Sequence, residues 1–269
     1  MKPILFGCAT TFTPNVSNFV HSAIQKGWNF PLVGMGKKWE GFITKMNTYY
    51  DACKDLDNSH FIILSDSSDV IVRLSPSNFT DRIEPWKDKI LLSGEKFCHR
   101  HNCIPPKKVW DTDPYTHLST RYICSGLMAG NAENMKHMLK WCIEWFNTKK
   151  INDDQVMVCS YANQFPNRVK IDYENNIFLN DAWGKQFDIN TVRNINPCFY
   201  HAPGIKWTFM RNNYNIIGKE TCGYYFLKPA MSARLRKIIC WSCLAIFIII
   251  VAIILVAIIV CKSKSCMSR

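Results

Sequence analysis

Two aspartates three residues apart, Asp66 and Asp69, stand between the apolar run Phe61-Ile62-Ile63-Leu64-Ser65 and the short run Val70-Ile71-Val72. A turn of that length can bring two carboxylates to one hard cation and still leave positions for phosphate oxygens and water. The same spacing suits two acids in a solvated turn. The strand in front favours the cation, because open α/β sheets bind ligands at the carboxyl ends of their central strands. A second cluster, Cys98-His99-Arg100-His101-Asn102-Cys103, offers four soft ligands within six residues. Its spacings are too tight for a zinc finger or ribbon, whose ligand pairs lie apart and close a folded loop, so it reads as a partly exposed loop. A third group, Asp153-Asp154, opens a helical pattern, where acids meet the positive end of the helix dipole.

The elements that must position these residues alternate in type. Residues 4 to 9 read as a first strand, too short an apolar run for a signal peptide. Residues 15 to 26, after the Thr13-Pro14 break, and 45 to 54 read as helices. The run at 61 to 65 is continuous, as a strand buried on both faces requires. Residues 90 to 93 follow as a strand and 122 to 129 as a strand or turn. Residues 132 to 146 form a helix with Met135, Met138, Leu139, Cys142 and Ile143 on one face, and a further helix begins at 153. This alternation favours an α/β domain over an all-α or all-β one.

Composition bounds the function classes. With 269 residues, 48% of them hydrophobic, the chain buries a core and is neither disordered nor a disulfide-stapled miniprotein. The net charge is +12, and seven bases with no acid fall in residues 221 to 269, leaving +5 for the body. No basic stripe interleaved with aromatics marks the body, so nucleic acid is not an expected partner. The tail bases flank a 23-residue uncharged apolar run, 238 to 260, and a bilayer core needs about 20 helical residues. The expected plan is a domain over 1–230, a basic juxtamembrane linker over 231–237, a transmembrane helix over 238–260 and a short basic tail over 261–269. The lipid bilayer is then a partner and the protein is a single-pass, tail-anchored membrane protein. The odd count of 13 cysteines, with Cys240 and Cys243 in or beside the span, argues against a disulfide framework and for a cytosol-facing domain. Bases at both ends of the span leave its orientation open.

Seven patches, in order, carry a family resemblance. They are Gly34-Met35-Gly36-Lys37-Lys38-Trp39-Glu40-Gly41 with Lys45; Asp66-Ser67-Ser68-Asp69-Val70-Ile71; Leu91-Leu92-Ser93-Gly94-Glu95-Lys96-Phe97-Cys98; Cys124-Ser125-Gly126-Leu127-Met128-Ala129-Gly130; Asp153-Asp154-Gln155; Ile171-Asp172; and His201-Ala202-Pro203-Gly204. Together they resemble the glycosyltransferase domain of procollagen lysyl hydroxylases and the related procollagen galactosyltransferases, over nearly the whole of residues 1 to 230. The resemblance implies a GT-A type fold, a Rossmann-like mixed sheet flanked by helices, that uses a nucleotide-sugar with a divalent ion, usually manganese, on the donor diphosphate.

Carried over residue by residue, the resemblance makes Asp66, Asp69 and His201 the metal ligands, a set that suits Mn²⁺ better than Mg²⁺. It makes Trp39 the aromatic that stacks on uracil and Lys45 a base near the nucleotide or its phosphates. Ser125-Gly126 brings backbone close to the donor sugar, Gly204 joins the donor-binding set, and Asp153 and Asp154 face sugar and acceptor. Plainer readings stand beside these: a core aromatic for Trp39, a solvated helix-start lysine for Lys45, an ordinary turn at Ser125-Gly126 and helix N-terminal charge for the two acids. The sequence departs from the family at Ser68, in place of an aromatic, at Leu127, in place of a second glycine, and at Ala202-Pro203, in place of Gly-Asn.

The expected function is therefore a membrane-tethered, metal-dependent glycosyltransferase. It would move a hexose from a UDP-sugar to a hydroxyl acceptor such as hydroxylysine of collagen-like chains. The alternative, motivated by Ser68 and Pro203, is a catalytically inactive glycosyltransferase-like binding module on a membrane surface. A purely structural membrane protein would have no need of these acids and the histidine in a matching series.

Overall fold

A computed structural model describes residues 3–29, 32–96, 122–181, 187 and 189–203. The chain divides into two compact units, Met1–Tyr225 and Phe226–Arg269, and every described residue belongs to the first. The cluster at 98–103, Gly204 and the apolar run 238–260 lie outside the described residues. Among the described residues no helix is long and apolar enough to cross a membrane.

Among the described residues nine strands make one mixed sheet: β1 (Ile4–Cys8), β2 (Leu32–Val33), β3 (Phe61–Asp66), β4 (Val70–Val72), β5 (Ile90–Glu95), β6 (Tyr122–Asn131), β7 (Val169–Asp172), β8 (Phe178–Asn180) and β9 (Phe199–His201). Their order is β2-β1-β3-β6-β5-β8-β9-β4, with β7 also on β5. β1 is parallel to β2 and β3, β5 to β7 and β8, and β8 to β9, whereas β6 runs antiparallel to β3 and β5 and β4 antiparallel to β9. β7 and β8 act as one interrupted strand along β5. Between them residues 173 to 177 bulge out, closed by Asp172, whose carboxylate accepts from the backbone N–H groups of Asn176, Ile177 and Phe178 at 3.2, 2.8 and 2.7 Å.

The continuous apolar character of β3 follows from its place. Ile62 and Leu64 face one helical layer and Phe61 and Ile63 the other, and all four are fully buried. The first layer holds α2 (Phe42–Cys53), α4 (Ala132–Lys149) and α5 (Asp154–Gln164), through Met46 and Tyr49, Met135, Met138 and Leu139, and Met157 and Val158. The second holds α1 (Pro14–Gln25) and α3 (Pro76–Ile83), through Phe19, Ala23, Phe79 and Ile83. A small third cluster joins Val192 of α6 (Ile189–Ile195) to Leu179 and Tyr200.

Helix starts follow local chemistry. Thr13, Ser75, Asn131 and Asp153 accept from the backbone N–H three residues on, and Pro14 and Pro76 occupy first-turn positions whose N–H would have no helical partner. α2 departs from this pattern. Its N-cap is Gly41, at φ +97°, which has no side chain to offer.

Candidate active site

The register of the sheet assembles the site. β3 ends in Asp66, the chain turns through Ser67 and Ser68, and Asp69 precedes β4. Ser67 Oγ donates to the Cys8 carbonyl at the end of β1, and Tyr49 Oη of α2 donates to the Ser65 carbonyl at 2.7 Å. Both bonds fix the strand end from which the acids project. β4 pairs with β9 so that Val70 lies opposite His201, and the Ala202 N–H donates to the Asp69 carbonyl at 2.9 Å. Through this pairing a histidine far away in sequence meets the two acids.

Asp66, Asp69 and His201 each offer one ligand atom, and these atoms lie within 4.8 Å of one another. His201 Nε2 is 3.5 Å from Asp69 Oδ1 and 3.9 Å from Asp66 Oδ2, and it is buried without a hydrogen bond. The other ring nitrogen is committed. Asn180, opposite His201 on β8, turns its Nδ2 to Ser93 Oγ (2.8 Å) and the Gly94 carbonyl (3.2 Å), which leaves Oδ1 to accept from His201 Nδ1–H at 2.5 Å. A neutral ring so held aims the Nε2 lone pair at two carboxylates, and only positive charge at that point satisfies all three groups. That charge is a proton or a divalent cation. Burial works against a charged ring, but Asp69 and Cys124 outweigh it and hold the His201 pKa well above the usual histidine range. Two carboxylates and an orphaned imidazole nitrogen fit a divalent cation of the Mn²⁺ type.

Gly126 makes room for this ring. A Cβ there would lie 2.1 Å from His201 Cε1 and 2.8 Å from each ring nitrogen. Within the described residues, its missing side chain therefore admits the histidine. Ser125, beside it on β6, is buried, and its carbonyl lies 3.4 Å from Lys45 Nζ.

Lys45 has partners that a solvated helix-start lysine would lack. Its side chain is 4% exposed, and the ammonium binds Asp66 Oδ1 at 2.5 Å and Asp154 Oδ2 at 2.6 Å. Burial opposes this charge, yet Asp154 and Asp66 outweigh it and raise the Lys45 pKa well above its ordinary value. The resemblance implies a base near the nucleotide or its phosphates; the structure gives this one to two carboxylates. Lys45 occupies one oxygen of Asp66 and leaves Oδ2 facing His201. Burial raises the Asp66 pKa, with Asp69 pushing the same way and Lys45 opposing.

The acidic pair divides its tasks. Asp153 Oδ1 caps α5 by accepting from Val156 N–H at 3.1 Å, while Asp154 takes Lys45 on one oxygen and its neighbour Gln155 N–H, at 3.0 Å, on the other. Trp39 is 48% exposed, which removes the reading of a core aromatic. It stands with Phe42, ring centroids 5.8 Å apart, on the rim of a cleft of about 350 Å³. Lys45, Asp66, Ser68, Asp69 and the loop Ala9–Thr11 line the same cleft. A larger cavity, about 520 Å³ and lined by Arg82, Trp86 and Tyr173, shares no residue with it.

Sequence reasoning missed three side chains of this neighbourhood. Asn180, which sets the His201 tautomer, ends a strand of only three residues and has no local signature. Glu95, fully buried and accepting from Gln155 Nε2 at 2.9 Å, entered only as one letter of a patch. Asn152, next to the acidic pair, bonds to the loop that carries Trp39.

A family model described as the PLOD GT domain matches residues 2–193. One solved structure, titled as the crystal structure of a glycosyltransferase involved in the glycosylation of the major capsid of PBCV-1, aligns with a TM-score of 0.50 at 12% identity, covering 80% of this chain and 98% of that one. At that identity the likeness concerns the fold. No curated protein sequence matches.

Proposed function

This chain belongs to the family of PLOD GT domains, and from that premise we propose that it transfers a hexose from a UDP-sugar to a hydroxyl acceptor in a reaction that depends on a divalent cation. The observation that carries the proposal is the buried, unbonded Nε2 of His201 beside Asp66 and Asp69, two acids that line a cleft shared with Trp39 and Phe42.

Asp66, Asp69 and His201 would hold the cation, Mn²⁺ by donor set; when bound it neutralises charge on the leaving diphosphate. Asn180 engages the Nδ1–H of His201, which leaves Nε2 as the ligand nitrogen and points it at the acids. Lys45 holds Asp66 to a single free oxygen and ties it to α5, so that Asp153 and Asp154 stand at a fixed distance from the metal residues. Trp39 offers an exposed aromatic face to the uracil, and the Ser125-Gly126 backbone borders the sugar. In the transfer the acceptor oxygen bonds to the anomeric carbon and the bond to the diphosphate breaks. The acidic pair is on the acceptor side, where a carboxylate takes up the hydroxyl proton.

The acceptor is a hydroxylated side chain of the hydroxylysine kind, and the apolar run 238–260 tethers the domain to a membrane. Asp66→Ala or Asp69→Ala should abolish Mn²⁺-dependent turnover of UDP-hexose; unchanged turnover would remove that residue from the metal site. A second reading, a binding module without turnover, draws on Asp154, both of whose oxygens are already engaged, and on Ser68 in the cleft. UDP binding without hydrolysis or transfer over a broad panel of UDP-sugars would favour it.

A further inference from the structure

The loop that carries Trp39 is fastened from outside its own segment. Gly41, at φ +97°, begins α2 without a capping side chain, and Asn152 supplies the missing cap. Its Oδ1 accepts from the Ile43 N–H at 2.9 Å, and its Nδ2 donates to the Glu40 carbonyl at 2.8 Å. One amide thus closes over Gly41 from both sides and fixes the residue that follows Trp39. The fit depends on glycine twice: the positive φ disfavours a side chain, and a Cβ there would lie 2.1 Å from Asn152 Nδ2. The loop is further held by the Glu40 N–H, which donates to Thr44 Oγ1 at 2.9 Å.

Asn152 also stands beside α5, and α5 is tied to α2 a second time by Asp154 and Lys45. The two ties lie at different depths. The inner one reaches Asp66, and the outer one, with exposed partners, reaches the segment between Trp39 and Phe42. Without the outer tie the aromatic rim would have to be ordered when a ligand arrives, and that entropy would be lost from affinity.

We infer that Asn152 is a positioning residue for the aromatic rim of the donor cleft: by bridging Glu40 and Ile43 across Gly41 it holds Trp39 where a nucleobase stacks, independently of the metal triad. The inference rests on the uridine-nucleotide reading proposed above. It predicts a defect confined to the base-binding half of the cleft.

The test uses the full chain and three probes with Mn²⁺ in calorimetry: uridine, UDP and inorganic pyrophosphate. Asn152→Ala should weaken uridine and UDP about tenfold, the scale of two exposed hydrogen bonds. Mn²⁺ and pyrophosphate affinities should stay at wild-type values, which also reports that the variant is folded. Trp39→Ala should lose the base-dependent affinity by itself, and adding Asn152→Ala to it should weaken binding no further. Asn152→Asp, which keeps the acceptor for Ile43 and loses the donor to Glu40, should fall between wild type and alanine. Wild-type uridine affinity in Asn152→Ala, an equal loss for pyrophosphate, or additivity with Trp39→Ala would each overturn the inference. A wild-type chain that binds neither uridine nor UDP would contradict the proposed function and this inference together, whereas wild-type binding untouched by Asn152→Ala contradicts the inference alone.

Discussion

Adding a single methyl group at Gly126 should disable the metal site without altering any ligand. The Cβ of Gly126→Ala would lie 2.1 Å from His201 Cε1, whereas carbon atoms rest at about 3.5 Å or more, so the ring must move by about 1.4 Å. His201 is 1% exposed, with Asn180 bonded to Nδ1 and Cys124 Sγ 3.7 Å from the same atom, so movement breaks the bond that sets its tautomer. Metal–ligand distances tolerate about 0.2 Å, and loss of support for a ligand typically costs 10- to 100-fold in metal affinity. Gly126→Ala should therefore bind Mn²⁺ at least about tenfold more weakly and lose about 1–3 kcal/mol of stability through overpacking. Both quantities are measurable, the first by Mn²⁺ titration followed by electron paramagnetic resonance and the second by urea unfolding. Deleting the ring supplies the control. In a His201→Ala background the new methyl has space, so the stability penalty should largely vanish. Wild-type Mn²⁺ affinity in Gly126→Ala, or the same penalty with and without His201, would refute the reasoning.

Three further outcomes follow from the same geometry. Lys45→Met leaves Asp66 and Asp154 facing each other without a counter-charge and should cost about 3–5 kcal/mol in urea unfolding, a deficit that shrinks in acid as Asp66 takes up a proton. Asp172→Ala strands the backbone N–H groups of Ile177 and Phe178 and should cost about 2–5 kcal/mol without changing Mn²⁺ affinity, a pairing that denaturant unfolding and metal titration on one sample would check. Asp69 and Cys124 raise the His201 pKa above the ordinary histidine range against the opposing effect of burial, so a proton competes with the cation for Nε2 and cation binding should release it. Mn²⁺ affinity should then rise with pH up to the folded-state pKa. In the metal-free chain the opposite sign holds for stability, because the ion pair with Asp69 contributes fully below the unfolded histidine pKa and is lost as pH rises through the folded one. Calorimetry in buffers of different ionisation enthalpy reads the proton release directly.

What could be read from the sequence was local or carried by the ordered patches. The run 61–65 was legible because a strand buried on both faces is apolar almost throughout, Phe61 to Leu64 without a break, and the acids behind it were legible because they adjoin it. The helices at 14–25 and 132–149 announced themselves by a Thr-Pro start and an apolar face. β7, β8 and β9, of three or four residues each, are too short to show a period, and the last two bring Asn180 and His201 to the site. His201 was reached only by resemblance, since its place depends on the pairing of β9 with β4. Lys45 shows the limit of charge patterning: a lysine at a helix start looks solvated until the fold puts two carboxylates on its ammonium. Gly126 could be read as an ordinary turn or as room for the donor sugar and Gly41 was only one letter of a patch, because the side chains that need their bareness, His201 and Asn152, are distant in sequence.

The central claim is that a cation held by Asp66, Asp69 and His201 joins the nucleotide to this domain. The direct measurement is calorimetric titration of UDP into the full chain, with and without Mn²⁺, for wild type and Asp69→Ala. The account predicts binding that requires Mn²⁺ in the wild type and is lost in Asp69→Ala; UDP binding that is the same without Mn²⁺, or that survives in Asp69→Ala, would contradict it.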